Sequence, residues 1–266
     1  MKKIIILLLI SLTIIGCTSN NNINEKQVIV NEVLELKNIE MQNKELESPD
    51  ESIDIIFLHH STGENIWNGG VKNYLTDYNV TEQNFPKDSP YGWENYPYDY
   101  WNIWVNNAGD SEYLTEPTLE ILTEDYDVIM FKHCYPGAYI EADTGSENID
   151  SSTKSLSSYK LQYNALKEKM HEFPDTKFIV WTLAAQIEAE TSKEHATRAE
   201  EFVNWVKTEW DEEGDNIYIF DFWSLETEGG IYLKAEYSDG DSHPNASFSE
   251  TVAPLLADKI IEVIKK

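Results

Sequence analysis

From Ile53 onward the chain alternates short, nearly unbroken apolar runs with longer amphipathic stretches, and few architectures accommodate that rhythm. The runs are Ile53-Asp54-Ile55-Ile56-Phe57-Leu58, Asp127-Val128-Ile129-Met130-Phe131-Lys132, Lys177-Phe178-Ile179-Val180-Trp181-Thr182 and Asn216-Ile217-Tyr218-Ile219-Phe220-Asp221. Continuous β-branched and aromatic content suits parallel strands covered on both faces. A fifth strand is expected near Trp101 to Val105. Helices are expected over 115–123, with Pro117 tolerated in the first turn, and over 155–173, 194–210 and 249–264, where apolar residues recur about once per turn. Strand–helix alternation predicts an α/β domain over 53–266: a three-layer, doubly wound α/β/α arrangement around a mainly parallel five-stranded sheet. The segment 74–100, dense in Tyr, Trp, Asn, Asp and Pro, interrupts the rhythm. It reads as an irregular loop over the carboxyl edge of the sheet, where ligands bind in open α/β folds.

The first 52 residues follow other rules. Met1-Lys2-Lys3 is a positive start, Ile4 to Ile15 is almost wholly apolar, and Gly16 precedes Cys17. This order is that of a secretory signal over 1–17, and the apolar run is shorter than the ~18–20 residues that span a bilayer. Ile14-Ile15-Gly16-Cys17 resembles a bacterial lipobox, which implies a diacylglycerol on Cys17 and a protein exported and anchored to the outer face of the membrane or the cell surface. Residues 18–52 are polar, rich in Asn and Glu and free of aromatics, and read as a flexible tether. The net charge of −28 disfavours nucleic-acid phosphates and anionic headgroups as partners. With Cys17 assigned to the anchor, Cys134 has no partner for an intramolecular disulfide and reads as a small core filler.

Two segments carry chemistry. The first apolar run ends in His59-His60-Ser61-Thr62-Gly63, which puts a hydroxyl at the mouth of a strand and at the start of a helix whose N–H groups face outward. A serine hydroxyl needs a base to take its proton. Asp239-Gly240-Asp241-Ser242-His243-Pro244 offers one, just before the last helix. Asp241, or less directly Asp239, is close enough to accept a hydrogen bond from the second ring nitrogen of His243.

A serine after the first strand and an Asp/His pair followed by Pro before the last helix resemble the first and last blocks of the SGNH/GDSL hydrolases. The resemblance spans 53–266. It implies a flavodoxin-like three-layer fold and a serine esterase or deacylase with Ser61 as nucleophile, His243 as base and Asp241 as orienting acid. It also implies an oxyanion hole built from the Ser61 amide and Gly109, an ester substrate on an acylated or acetylated carbohydrate, and no cofactor. Three departures stand out. The family's Gly-Asp-Ser is His59-His60-Ser61 here, the usual acid position three before the histidine is Gly240, and the middle Gly-x-Asn-Asp is replaced by His133-Cys134-Tyr135-Pro136-Gly137.

Other readings of the same residues exist. Ser61 and Thr62 can simply begin a helix, and Asp241-Ser242 can shape a turn. His59, His60, His133, Cys134, Asp241 and His243 could converge to hold a metal in a metal-dependent hydrolase. Aromatics of the 91–104 stretch, Trp93, Tyr98 and Trp101 among them, could stack on sugars in a non-catalytic glycan-binding lipoprotein.

Overall fold

The computed structural model describes residues 53–92 and 94–266. The signal, lipobox and tether expected over 1–52, and Trp93, lie outside them. Five parallel strands form one sheet in the order β2-β1-β3-β4-β5, with β1 Asp54–His59, β2 Asn79–Asn84, β3 Val128–Phe131, β4 Lys177–Trp181 and β5 Ile217–Phe220. The α/β class and the five-stranded parallel sheet are as the alternation predicts. Four of the strands are the apolar runs, and their side chains alternate between two buried faces. Ile56, Leu58, Ile129, Phe131, Phe178 and Val180 enter one core. Ile55, Phe57, Val128, Met130, Ile179 and Trp181 enter the other. Burial of each such side chain contributes about 1.5–3 kcal/mol, which is why an edge-to-edge apolar strand demands cover on both sides.

Seven helices provide that cover among the described residues: α1 Ser61–Asn68, α2 Pro97–Trp101, α3 Leu119–Asp125, α4 Leu156–His171, α5 Lys193–Trp205, α6 Phe222–Thr227 and α7 Ala246–Ile264. Helices α2 to α5 supply Tyr100, Leu119, Tyr159, Tyr163, Phe202 and Val203 to the first core. Helices α1 and α7 supply Ile66, Trp67, Val252, Leu256 and Ile260 to the second. At the α1–α7 contact the chain leaves no room for a side chain, since a Cβ on Gly69 would stand 2.3 Å from the Ser249 carbonyl oxygen. Three layers result, with α1 and α7 packed against each other on the second face.

Two expectations fail here. The segment around Trp101 to Val105 is not a strand. Pro97 opens α2, the Asp99 carboxylate accepts from the Tyr96 amide, and a wider turn over Asn102–Asn106 continues the helix. Tyr100, Trp101, Ile103 and Trp104 thereby share the buried side, a helical spacing that their β-forming composition conceals. The fifth strand lies instead within 74–100, expected to be irregular. It is Asn79–Asn84, a mostly exposed edge strand held by backbone pairing to β1 alone.

Candidate active site

The strand order places β1 between β2 and β3, so the chain leaves β1 and β3 at neighbouring points of the carboxyl edge. This is the point at which doubly wound sheets of the 2-1-3-4-5 order bind ligands. The segment after β1 turns directly into α1. His60 is the residue before the helix, its side chain provides no cap, and Ser61 is the first helical residue. The first N–H groups of a helix have no partner within it, so this turn presents donors as well as the Ser61 hydroxyl.

The loop before α7 reaches the same point. It is a compact turn rather than a trailing segment. The Asp239 amide donates to the His243 carbonyl at 3.1 Å, and the Ser238 hydroxyl donates to the Asp241 carbonyl at 2.6 Å. Gly240 sits at φ +106°, a conformation that a side chain strains. Asn245 ends the loop by accepting from the Phe248 amide at 2.9 Å, which starts α7. Asn65 of α1 donates to the Pro244 carbonyl at 2.9 Å and ties loop to helix. From the other side, both the amide and the hydroxyl of buried Ser242 donate to Glu190, and the Ser242 oxygen accepts from the Ile187 amide at 3.1 Å.

These contacts bring together the three residues that the chain order singled out. His243 Nε2 lies 2.8 Å from Ser61 Oγ, and His243 Nδ1 lies 2.9 Å from Asp241 Oδ1. The same Asp241 oxygen accepts from the His243 amide at 2.8 Å. A carboxylate on Nδ1 keeps the proton there, which leaves Nε2 as the acceptor for the serine proton. Burial pushes the Asp241 carboxyl up, but the hydrogen bonds from the His243 amide and ring outweigh it and hold it below the usual carboxylate range. The Tyr135 ring packs edge-on against the imidazole with centroids 5.0 Å apart. Ser61 and His243 are both partly open to solvent.

The other predicted residues are placed differently. The Gly109 carbonyl accepts from the Thr118 hydroxyl at 2.6 Å, and its amide faces Glu120, which pairs with Lys169 near the end of α4. These contacts hold Gly109 in the turn ahead of α3, and none brings it to Ser61. Trp101 is a core residue, 5% exposed, and half-buried Tyr98 packs against it with centroids 5.6 Å apart. The histidines do not gather around one point. His59 turns toward Glu82 at 3.2 Å, the His60 ring meets the Pro86 carbonyl, and His133 is enclosed by Tyr100 and Tyr163. Burial, with the Lys132 ammonium adding to it, lowers His59 to about 4 and His133 to about 3, so both are neutral. No group of three or more His, Cys, Asp or Glu able to hold a metal occurs among the described residues.

Cys134, read from the sequence as a small core filler, is buried on the turn after β3 and stands beside the nucleophile. Its sulfur lies 3.9 Å from Ser61 Oγ and 3.3 Å from the Nζ of fully buried Lys132.

No family model matches the sequence, and no curated protein matches it. Solved structures are similar to it at low identity. One is the C-terminal catalytic domain of Streptococcus pneumoniae peptidoglycan O-acetyltransferase A with a methylsulfonyl adduct, at 14% identity and a TM-score of 0.43, over 81% of this chain and 94% of that one. A carbohydrate esterase with divergent catalytic and non-catalytic binding functions shows 14% identity and a TM-score of 0.39, over 81% and 66%. A gut microbial diltiazem-metabolizing enzyme shows 13% identity and a TM-score of 0.46, over 80% of this chain and 47% of that one.

Proposed function

We propose that the protein is a serine ester hydrolase. The observation that carries this reading is the unbroken Ser61–His243–Asp241 chain of hydrogen bonds, at 2.8 and 2.9 Å, at the carboxyl edge of a parallel sheet. Ser61 Oγ attacks the ester carbonyl carbon while His243 Nε2 takes its proton. The tetrahedral oxyanion is held by the Ser61 amide at the start of α1. The imidazolium, stabilised by Asp241, then donates the proton to the leaving alcohol. Water repeats the cycle with His243 again as base, releasing the acid and restoring Ser61. Gly109, held in the turn ahead of α3, takes no part in this scheme.

The substrate class we propose, an acylated or acetylated carbohydrate, rests on the resemblance to SGNH/GDSL hydrolases. The experiment is hydrolysis of a chromogenic acetyl ester and of acetylated oligosaccharides by the full chain, followed by mass spectrometry after an organophosphonate that reacts with activated serines. A single adduct on Ser61 together with acetate release supports the reading. A folded protein that retains glycans, releases no acetate and carries no adduct refutes it in favour of glycan binding.

We further propose that the chain is exported and lipid-anchored through Cys17. The expected outcome is a membrane-associated protein that incorporates labelled fatty acid, and a Cys17→Ser variant that does neither. A parent chain that takes up no label refutes the anchor.

A further inference from the structure

Beneath the nucleophile lies a set of groups that the hydrolytic scheme does not use. Lys132 follows β3 and is fully buried. Its stem passes under the first turn of α1, so closely that a Cβ on Gly63 would stand 3.1 Å from Lys132 Cδ and 2.4 Å from His59 Cβ. Its Nζ reaches Cys134 Sγ at 3.3 Å. The sulfur in turn lies 3.9 Å from both Ser61 Oγ and Thr62 Oγ1, and it receives the Thr62 amide. Burying an ammonium is costly unless it is paired, and a lysine retained there calls for a partner and a purpose. Buried Glu226 of α6, which accepts from the Ala185 amide at 2.6 Å, adds a weaker favourable field, although burial pushes its own carboxyl well up.

We propose that the Cys134 thiol is a catalytic hydrogen-bond donor to Ser61 Oγ, and that Lys132 is the positioning residue that polarises it. This rests on the serine-hydrolase reading above. Lys132 Nζ donates to the sulfur, and the S–H then points at either of two hydroxyl oxygens at equal distance. As His243 removes the serine proton, charge builds on Ser61 Oγ and not on Thr62 Oγ1. The thiol proton swings to the charged oxygen, and the ammonium behind the sulfur strengthens that bond. An interaction that strengthens as charge develops lowers the barrier, which one of equal strength in the ground state does not. Successive donors in a dry site reinforce one another.

The same arrangement makes the donor sensitive to pH. The charged and titratable groups facing Cys134 are Lys132 and Tyr135 on its own turn, Tyr100 from α2, Ser61 with its His243 partner, and Glu226 through Lys132. Burial pushes the Cys134 thiol up, but the Lys132 ammonium and the Thr62 amide and hydroxyl outweigh it, and the thiol titrates below its ordinary value. Below that point the group is a donor. Above it the thiolate repels the charge on Ser61 Oγ. Activity therefore falls on the alkaline side, earlier than the ordinary thiol value of about 8.5.

The test uses the full chain with Cys17→Ser, in which Cys134 is the sole thiol. The rate of acetyl ester hydrolysis and the ultraviolet absorbance of the thiolate are followed across the same pH series. The expected result is one midpoint for the loss of activity and the appearance of thiolate. Cys134→Ser keeps a donor that does not ionise and abolishes the alkaline fall, Cys134→Ala slows hydrolysis about 10–100-fold at neutral pH, and Lys132→Met moves the thiolate midpoint upward. An alkaline fall unchanged in Cys134→Ser, or thiolate forming with no loss of rate, overturns the proposal. The parent titration needs no variant and decides the matter even if Lys132→Met does not fold. Organophosphonate labelling separates the two levels. If Ser61 is labelled but the midpoints differ, this inference alone fails; if Ser61 is not labelled, the hydrolase reading fails and takes this one with it.

Discussion

Ser61→Ala and His243→Ala each reduce ester hydrolysis by about 10⁵–10⁶-fold, and the double substitution costs little more than either alone. The near-equality is the informative part. Ser61 Oγ and His243 Nε2 share one hydrogen bond of 2.8 Å, and neither performs the first step without the other. Removing the hydroxyl leaves the base with no proton to take, and removing the base leaves an alcohol that is almost wholly protonated at neutral pH. What survives is the residual rate supplied by the amide at the helix start and by binding, which act on any attacking water. Neither substitution threatens the fold. Ser61 contributes no capping bond to α1, and His243 sits partly open to solvent on a loop that Ser238, Ser242, Asn65 and Asn245 already secure. The measurement is steady-state hydrolysis of the chromogenic ester by parent, single and double variants, with circular dichroism and thermal melting beside it. Two single losses that multiply in the double variant would mean that the two residues do not act as a unit. A folded Ser61→Ala variant with parental activity would remove the serine mechanism altogether.

The fold and the site were readable in the sequence to different depths, for physical reasons that particular residues show. The apolar runs that become β1, β3, β4 and β5 carry their burial in their composition. Strand β2 does not, because Asn79-Val80-Thr81-Glu82-Gln83-Asn84 lies at the sheet edge and is held by backbone bonds to β1. Trp101, Ile103 and Trp104 misled in the opposite way, since bulky and β-branched residues can line the inside of a helix when Pro97 and Asp99 start one. The meeting of Ser61 and His243 could be expected from chain order, because both follow from where a doubly wound sheet ends its strands. Cys134 entered as a core filler or as one of six residues that could converge on a metal, not as a neighbour of the serine. Its approach to Ser61 requires β1 and β3 to be neighbours, which only the strand order 2-1-3 establishes. Lys132 and Glu226 were equally hidden, as a lone charged residue in a sequence is ordinarily a surface residue.

Asp241→Asn lowers kcat by about 10²–10⁴-fold with little change in KM, whereas Asp239→Asn stays close to the parent. The two aspartates flank Gly240, and spacing alone does not choose between them. The geometry does. Asp241 Oδ1 accepts from both the amide and the ring Nδ1 of His243, at 2.8 and 2.9 Å, while Asp239 meets this residue only through its own backbone amide. An asparagine at 241 can keep an oxygen on the His243 amide, so the loop retains its shape, but its NH2 group can face Nδ1 and favour the wrong tautomer. What it loses is the negative charge that stabilises the imidazolium formed when Ser61 attacks, an interaction made chiefly in the transition state and so expressed in kcat. Asp241→Ala removes the acceptor as well and falls further. The charge of Asp241 also persists on the acid side. Because the His243 hydrogen bonds hold the Asp241 carboxyl below its usual range, the acid stays ionised as pH drops through the values at which ordinary carboxylates take up protons. The protonated, inactive form of Asp241 is thus reached only at still lower pH. The kinetic constants of the three variants check this directly. A Asp239→Asn variant that loses activity while Asp241→Asn keeps it would reassign the orienting acid to the residue on the other side of Gly240.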